Sequence, residues 1–243
     1  MEFTPLGVAV VCLTALLTGM AKTGIQGLGI VLVPLAAMAM PVKASTGFLL
    51  PLMVAGDFVA VLYWRRKVVW KSLLGVLPWT ALGIVGGFFA MRSLSEALFK
   101  PLLGGLILLF VALDLLGRAL GLELRADRRA AVFLVGILAG AFTMMANAGG
   151  PIMTIFLLSM ALPKEEYVGT TAVFFWLINL FKIPFSLSLG LITWASLKLD
   201  LLLLPLVFLG CAAGFWAVRR LPQRAFNIVA QALAALGGLK LFF

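Results

Sequence analysis

Ser72–Arg92 reads SLLGVLPWTALGIVGGFFAMR, uncharged from Ser72 to Met91. A helix rising about 1.5 Å per residue needs roughly 20 such residues to cross about 30 Å of hydrocarbon. The stretch therefore reads as a membrane-spanning helix. Within it, Pro78-x4-Gly83-x3-Gly87-x4-Arg92 returns later as Pro205-x4-Gly210-x3-Gly214-x4-Arg219, with Phe99 matching Phe226 at the same offset. Upstream, Gly19 and Gly29 match Gly140 and Gly150, and Ser45-Thr46 matches Thr170-Thr171 after a small insertion. A pattern recurring in order marks two related halves, and its Gly-x3-Gly pairs predict close helix contacts in each.

Composition extends the membrane reading to the whole chain. Of 243 residues, 63% are hydrophobic and 12% charged, and the mean hydropathy is +1.17. A soluble domain carries roughly a quarter charged residues, so this chain has too little polar material for a wetted surface. Strict polar–apolar alternation, the mark of a membrane β-barrel, is absent. The spans are helices, in which every backbone group is paired internally.

Ten hydrophobic segments follow: Pro5–Ala21, Ile25–Met40, Ser45–Trp64, Ser72–Met91, Phe99–Leu116, Ala130–Ala146, Gly150–Ala161, Val168–Leu189, Leu199–Val218 and Ala225–Phe243. The expected architecture is an all-α polytopic membrane protein of two inverted-topology repeats, about five segments each. Residues 1–117 form the first repeat, 118–129 a linker and 130–243 the second. The start, Met1-Glu2-Phe3-Thr4-Pro5, lacks the basic region of a secretory signal, so the first segment is read as part of the mature protein.

Charge supplies the inversion. Arg65, Arg66, Lys67 and Lys71 mark one cytoplasmic loop, and Arg118, Arg125, Arg128 and Arg129 mark the linker as another. The repeat equivalent of the first loop, Thr193–Lys198, is nearly neutral, whereas the equivalent of Arg92–Lys100 carries Arg219, Arg220 and Arg224. Basic loops exchange sides, which requires an odd number of crossings per half. The second segment of each half is short, so the first two segments either both cross or form a hairpin that enters and turns back. The +10 net charge belongs to this loop pattern, and no nucleic-acid partner is expected.

Short, Gly- and Pro-interrupted segments at matching places point to a transporter's binding site near the midplane. The first is Lys22-Thr23-Gly24-Ile25-Gln26-Gly27-Leu28-Gly29, the second Asn147-Ala148-Gly149-Gly150-Pro151. Each opens a helix and leaves free N–H groups and a positive dipole end at the bend, a place for an anion. Candidate substrate contacts are Lys22, Thr23, Gly24, Gln26, Gly27, Asn147, Ala148, Gly149 and Gly150. Thr46, Thr170 and Thr171 are candidate hydroxyl donors that can equally return bonds to their own helices. Lys182, flanked by Asn179 and Pro184, lies at membrane depth, where a lysine must pair, deprotonate or face a cavity. Asp57 is its repeat equivalent and the candidate proton-coupling group. The two are expected either to pair or to divide substrate and proton between them.

Several of these residues carry a resemblance. Asn147-Ala148-Gly149-Gly150-Pro151-Ile152-Met153, then Gly169-Thr170-Thr171-Ala172 and Asn179-x2-Lys182-x-Pro184, resembles the TauE/SafE sulfite-exporter family, also called toluene-sulfonate uptake permeases. Gly27-Leu28-Gly29-x4-Pro34 looks like that family's first-half glycine motif, with Leu28 where a glycine is usual. The likeness covers essentially the whole chain. It implies a secondary carrier of sulfite, sulfonates or related anions across the bacterial inner membrane, without ATP hydrolysis.

Other classes fit less well. Histidine is absent, and no Gly-x-Ser-x-Gly setting and no paired carboxylates on one hydrophobic segment are read, so an enzyme is not expected. No Gly-rich Lys-Ser/Thr phosphate loop is present for an ATP-driven pump. The expectation is a secondary anion transporter working by alternating access, with a passive anion channel of the same fold as the alternative. No cofactor or metal is expected. The expected partners are the small anion, membrane lipid and a coupling proton or sodium ion.

Overall fold

The computed structural model describes residues 4–24, 28–95, 129–158 and 162–220, with residue 160 and scattered helical residues between 97 and 112. These residues are 88% helical with no strand among them. The helices are α1 (Pro5–Thr23), α2 (Gly29–Ala36), α3 (Val42–Trp64), α4 (Trp70–Ser93), α5 (Arg129–Ala146), α6 (Gly150–Leu158), α7 (Lys164–Ser188) and α8 (Trp194–Arg220), with a 3-10 turn at Arg65–Lys67. Five stretches, Pro5–Thr23, Val42–Lys67, Trp70–Ser93, Glu165–Ser188 and Trp194–Ala217, are long and apolar enough to cross a membrane. The expected segment Ala225–Phe243 lies outside the described residues, as do most of Phe99–Leu116 and of the 118–129 linker.

The helix ends follow local chemistry. At α1 the Thr4 hydroxyl accepts from the Gly7 N–H at 3.1 Å, with Pro5 in the first turn, where its missing donor costs nothing. Extended prolines, Pro41 and Pro163, open α3 and α7 with nearly the same backbone angles, φ −53° and −52°. Within helices, Thr14, Thr18 and Thr80 donate to carbonyls four residues back. Buried threonines are thereby satisfied without a partner from another helix.

The outer face is apolar, and charged and polar side chains are buried within an apolar core. Leu74, Leu82 and Phe89 of α4 and Leu201, Leu202 and Leu209 of α8 are exposed, while Asp57, Asn147, Asn179 and Lys182 are buried. Such a molecule is at rest in lipid, and the protein is an integral membrane protein.

Small residues set the packing. A Cβ built on Gly83 of α4 would lie 2.2 Å from the Ile137 carbonyl oxygen of α5, and one on Gly140 of α5 2.1 Å from the Thr80 oxygen of α4. The same thing happens between α1 and α8: Gly19 meets the Val207 oxygen at 2.0 Å, and Gly210 meets the Leu16 oxygen at 2.0 Å. The Gly-x3-Gly pairs thus do bring helices into backbone contact, but not inside their own half. Each packs on the first helix of the other half. Position by position, α4 and α5 run in the same direction, Val76 beside Gly136 and Gly87 beside Ala141 and Met144. α1 and α8 likewise run together, Leu16 beside Gly210 and Met20 beside Gly214. α3 and α7 run oppositely: Gly169 near the start of α7 lies against the Trp64 and Lys67 oxygens, and Gly47 near the start of α3 against Leu191.

The second expected segments shorten to helices of 8 and 9 residues. At about 1.5 Å per residue they are about 12–14 Å long, far short of a crossing. α2 packs on α1 and α3, and α6 on α5 and α7. In each half a long helix is thus followed by a short one packed against it.

Candidate functional site

The ends of α1 and α5 and the starts of α2 and α6 border one space. One cavity of about 50 Å³ is lined by Gly29 and Gly150, the first residues of the short helices, and by Lys22 and Asn147 from the ends of α1 and α5. Asp57 from α3, Thr143 from α5 and Thr171, Phe175 and Asn179 from α7 complete its polar and aromatic wall. Small-molecule sites usually run to about 300–1,000 Å³, so this space suits a compact headgroup.

Asn147 shows why its position calls for that residue. It closes α5 in the left-handed region, φ 51°, its N–H donating to Thr143 O at 3.0 Å while Ala148 donates back to Phe142 O at 3.4 Å. Asparagine tolerates this backbone better than most residues other than glycine. Unlike glycine, it also brings an amide. That amide donates to the Thr46 carbonyl at 3.1 Å and accepts from Lys182 Nζ at 2.5 Å.

A polar chain runs through the site. Lys22 Nζ lies 2.9 and 3.0 Å from the two oxygens of Asp57 and 5.1 Å from the centre of the Phe175 ring. Asn179 donates to Asp57 Oδ2 at 2.6 Å and accepts from Lys182 at 3.3 Å. Lys182 also donates to the Thr143 hydroxyl at 3.4 Å. An ammonium has three N–H donors, and Lys182 has three oxygens around it. Asp57 and Lys182 therefore do not pair directly. The carboxylate takes Lys22, and Asn179 stands between the two equivalent positions. Two lysines against one carboxylate leave the cluster formally one charge positive.

The other expected residues divide. Thr171 lines the cavity, but its hydroxyl donates to Tyr167 O at 2.7 Å. Thr46 donates to Lys43 O at 2.7 Å, and Thr170 accepts from the Val69 N–H at 2.9 Å, both away from the cavity wall. Thr23 donates to Gly19 O and Cys211 O, tying α1 to α8. Gly24 caps α1, its N–H donating to Met20 O. Ala148 is buried, and Gly149 packs on the Ala139 oxygen and the Thr143 side chain. Gln26 and Gly27 lie outside the described residues.

Sequence reading missed the Lys22–Asp57 pair, Thr143 and Phe175. Thr143 had a signal, since it sits one helical turn before Asn147. A second cavity of about 410 Å³, bordered by Lys43, Arg92 and Ser188, lies apart from these residues. There Lys43 donates to the Met91 and Leu94 carbonyls, capping the end of α4. The smaller cavity is the candidate site because both bends and the buried ionic chain converge on it.

No curated protein and no solved structure matches the chain. The family model described as sulfite exporter TauE/SafE matches residues 10–241. That span covers the residues lining the cavity, the buried polar chain and both glycine stripes, and the chain belongs to the TauE/SafE family of membrane sulfite exporters.

Proposed function

We propose that this protein is a secondary active transporter that carries a small sulfur oxyanion or sulfonate across the bacterial inner membrane by alternating access, coupled to protons. The observation that carries this reading is the cavity between the two bends, walled by Lys22, Asp57, Asn147 and Asn179. Its cluster has an excess positive charge and lies among apolar helices. Anion selectivity follows from that charge, and a buried ionisable chain of this kind marks substrate and proton pathways.

Inverted repeats suit the mechanism, and the helix directions support them. α3 runs against its equivalent α7, and α4 running with α5 and α1 with α8 is the arrangement that inverted halves require. In this reading the basic corner at Arg65–Lys67 and the 118–129 linker face the cytoplasm. Lys22 meets the anion's charge, Asn147, Thr171 and Asn179 border it, and Asp57 takes the proton. Thr23, Gly24, Thr46, Ala148, Gly149, Gly150 and Thr170 hold the backbone around it.

The test is uptake of radiolabelled sulfite and a small sulfonate into proteoliposomes, wild type beside Lys182→Ala, with and without an imposed pH gradient. Accumulation that follows the gradient and is lost in a folded Lys182→Ala protein is the expected result. Flux that never exceeds equilibrium and ignores the gradient identifies an anion channel instead. No flux of either anion overturns the sulfur assignment.

A further inference from the structure

Within the proposed transport reading, one arrangement goes further. Lys22 is the ammonium that borders the cavity, and both oxygens of Asp57 lie within 3.0 Å of it. Lys182 does not border the cavity; its three donors go to Asn147, Asn179 and Thr143. An incoming anion therefore finds one cation in reach, already held by a carboxylate. We infer that the transported anion and the Asp57 carboxylate compete for Lys22, so that each single negative charge binds together with one proton taken up by Asp57.

The charge balance favours this exchange. Before binding, the Lys22 ammonium is neutralised by Asp57. Afterwards it is neutralised by the anion, and the proton sits on the Asp57 carboxyl. Net charge in the membrane interior is unchanged, and Lys22 has a counter-ion before and after the exchange. Binding without the proton puts two anions on one lysine.

Asp57 is buried, and once the anion holds Lys22 its carboxylate has no ammonium in direct contact, so a proton restores neutrality there. Charged or titratable groups facing it are Lys22 from α1, Lys182 from α7 and the Cys211 thiol from α8. Asn179 donates to Oδ2, leaving Oδ1, now on Lys22, as the oxygen to be protonated. Lys22 lies 5.1 Å from the Phe175 ring centre, an attraction that keeps the ammonium at the cavity after the carboxylate releases it. Lys182 acts on the site through the two asparagines; it is a positioning residue.

Methanesulfonate is the suitable probe, because it carries one negative charge throughout the working pH range and brings no proton of its own. Purified protein in weakly buffered detergent, with a pH indicator, is expected to take up one proton per methanesulfonate bound. Asp57→Asn is expected to bind methanesulfonate with no proton uptake. In proteoliposomes it should still exchange labelled for unlabelled anion, while accumulation driven by a pH gradient falls to background. Lys22→Ala is expected to lose binding at least tenfold, with Lys22→Arg restoring part of it, both judged on protein that elutes as a single folded species. Wild-type binding without proton uptake, or gradient-driven accumulation by Asp57→Asn, overturns the competition while leaving an anion carrier in place. Absence of methanesulfonate and sulfite transport by the wild type overturns the functional reading and this inference with it.

Discussion

Asn147 turns its amide oxygen to within 2.5 Å of Lys182 Nζ while its own backbone sits at φ 51°. One residue thus ends a helix and anchors a buried cation, and the two duties separate on substitution. Asn147→Gly keeps the backbone conformation but removes the amide from Lys182 and from the Thr46 carbonyl. It is expected to fold with a lowered melting temperature and to lose uptake. Asn147→Val removes the amide and adds a left-handed penalty of about 1–2 kcal/mol. Detergent melting curves should rank wild type above Asn147→Gly and Asn147→Gly above Asn147→Val. An equal melting point for the two variants contradicts the strained-bend account.

The glycine contacts make a paired prediction. A methyl on Gly19 or Gly140 would lie 2.0 or 2.1 Å from a carbonyl oxygen of the neighbouring helix, whereas one on Gly75 or Gly86 meets nothing within 4 Å. Gly19→Ala and Gly140→Ala should each destabilise by about 1–3 kcal/mol through forced separation of backbones. Gly75→Ala and Gly86→Ala should be neutral or stabilising by up to about 1 kcal/mol, the helix preference of alanine over glycine. Thermal stability of the four variants checks this, and a uniform effect across them would argue against the close contacts.

At the corner where α3 meets α7, two polar contacts lie side by side with unequal expected effects. Lys67 and Glu165 form an ion pair at 2.8 Å, but their side chains are 53% and 58% exposed. Lys67→Ala is expected to leave the melting temperature unchanged, since water screens such a pair. Thr170 accepts the Val69 N–H in a buried position. Thr170→Val keeps the shape, leaves that N–H without its acceptor and should cost about 1–3 kcal/mol. A larger loss from Lys67→Ala than from Thr170→Val reverses the assignment.

Asp200 of α8 is 3% exposed, and its two carboxylate oxygens have no hydrogen-bond partner among the described residues. A buried carboxylate without compensation costs stability that a leucine of similar size does not. Asp200→Leu is therefore expected to raise the melting temperature, with anion uptake unchanged because Asp200 does not border the cavity between the bends. A fall in melting temperature would show that the carboxylate is held by a partner.

How much of this was legible beforehand differs from residue to residue. The uncharged run from Ser72 to Met91 had to be a spanning helix, because no other structure buries its backbone in lipid. The brevity of α2 and α6 was visible in hydrophobic runs too short to span. The glycine stripes announced close contact, but a stripe names no partner, and Gly83 meets α5 of the other half. Asp57 and Lys182 were found by their repeat positions and their cost at depth. Their connection was not. Lys22 reaches Asp57 through the packing of α1 on α3, a matter of helix rotation that spacing along the chain does not encode. Similarly, three threonines read as possible donors to an anion spend their hydrogen bonds on the backbone.

The exchange of partners between halves, α1 on α8 and α4 on α5, has a consequence for biogenesis. α1 leaves the ribosome early, yet the grooves that receive its Gly19 face belong to a helix synthesised almost last. Until α8 arrives, α1 has α2 and α3 to pack on, but its glycine face is without the helix it fits. Assembly is accordingly expected to end in a closing step that needs both halves. A chain split at the linker should acquire its native core only when both pieces share one membrane.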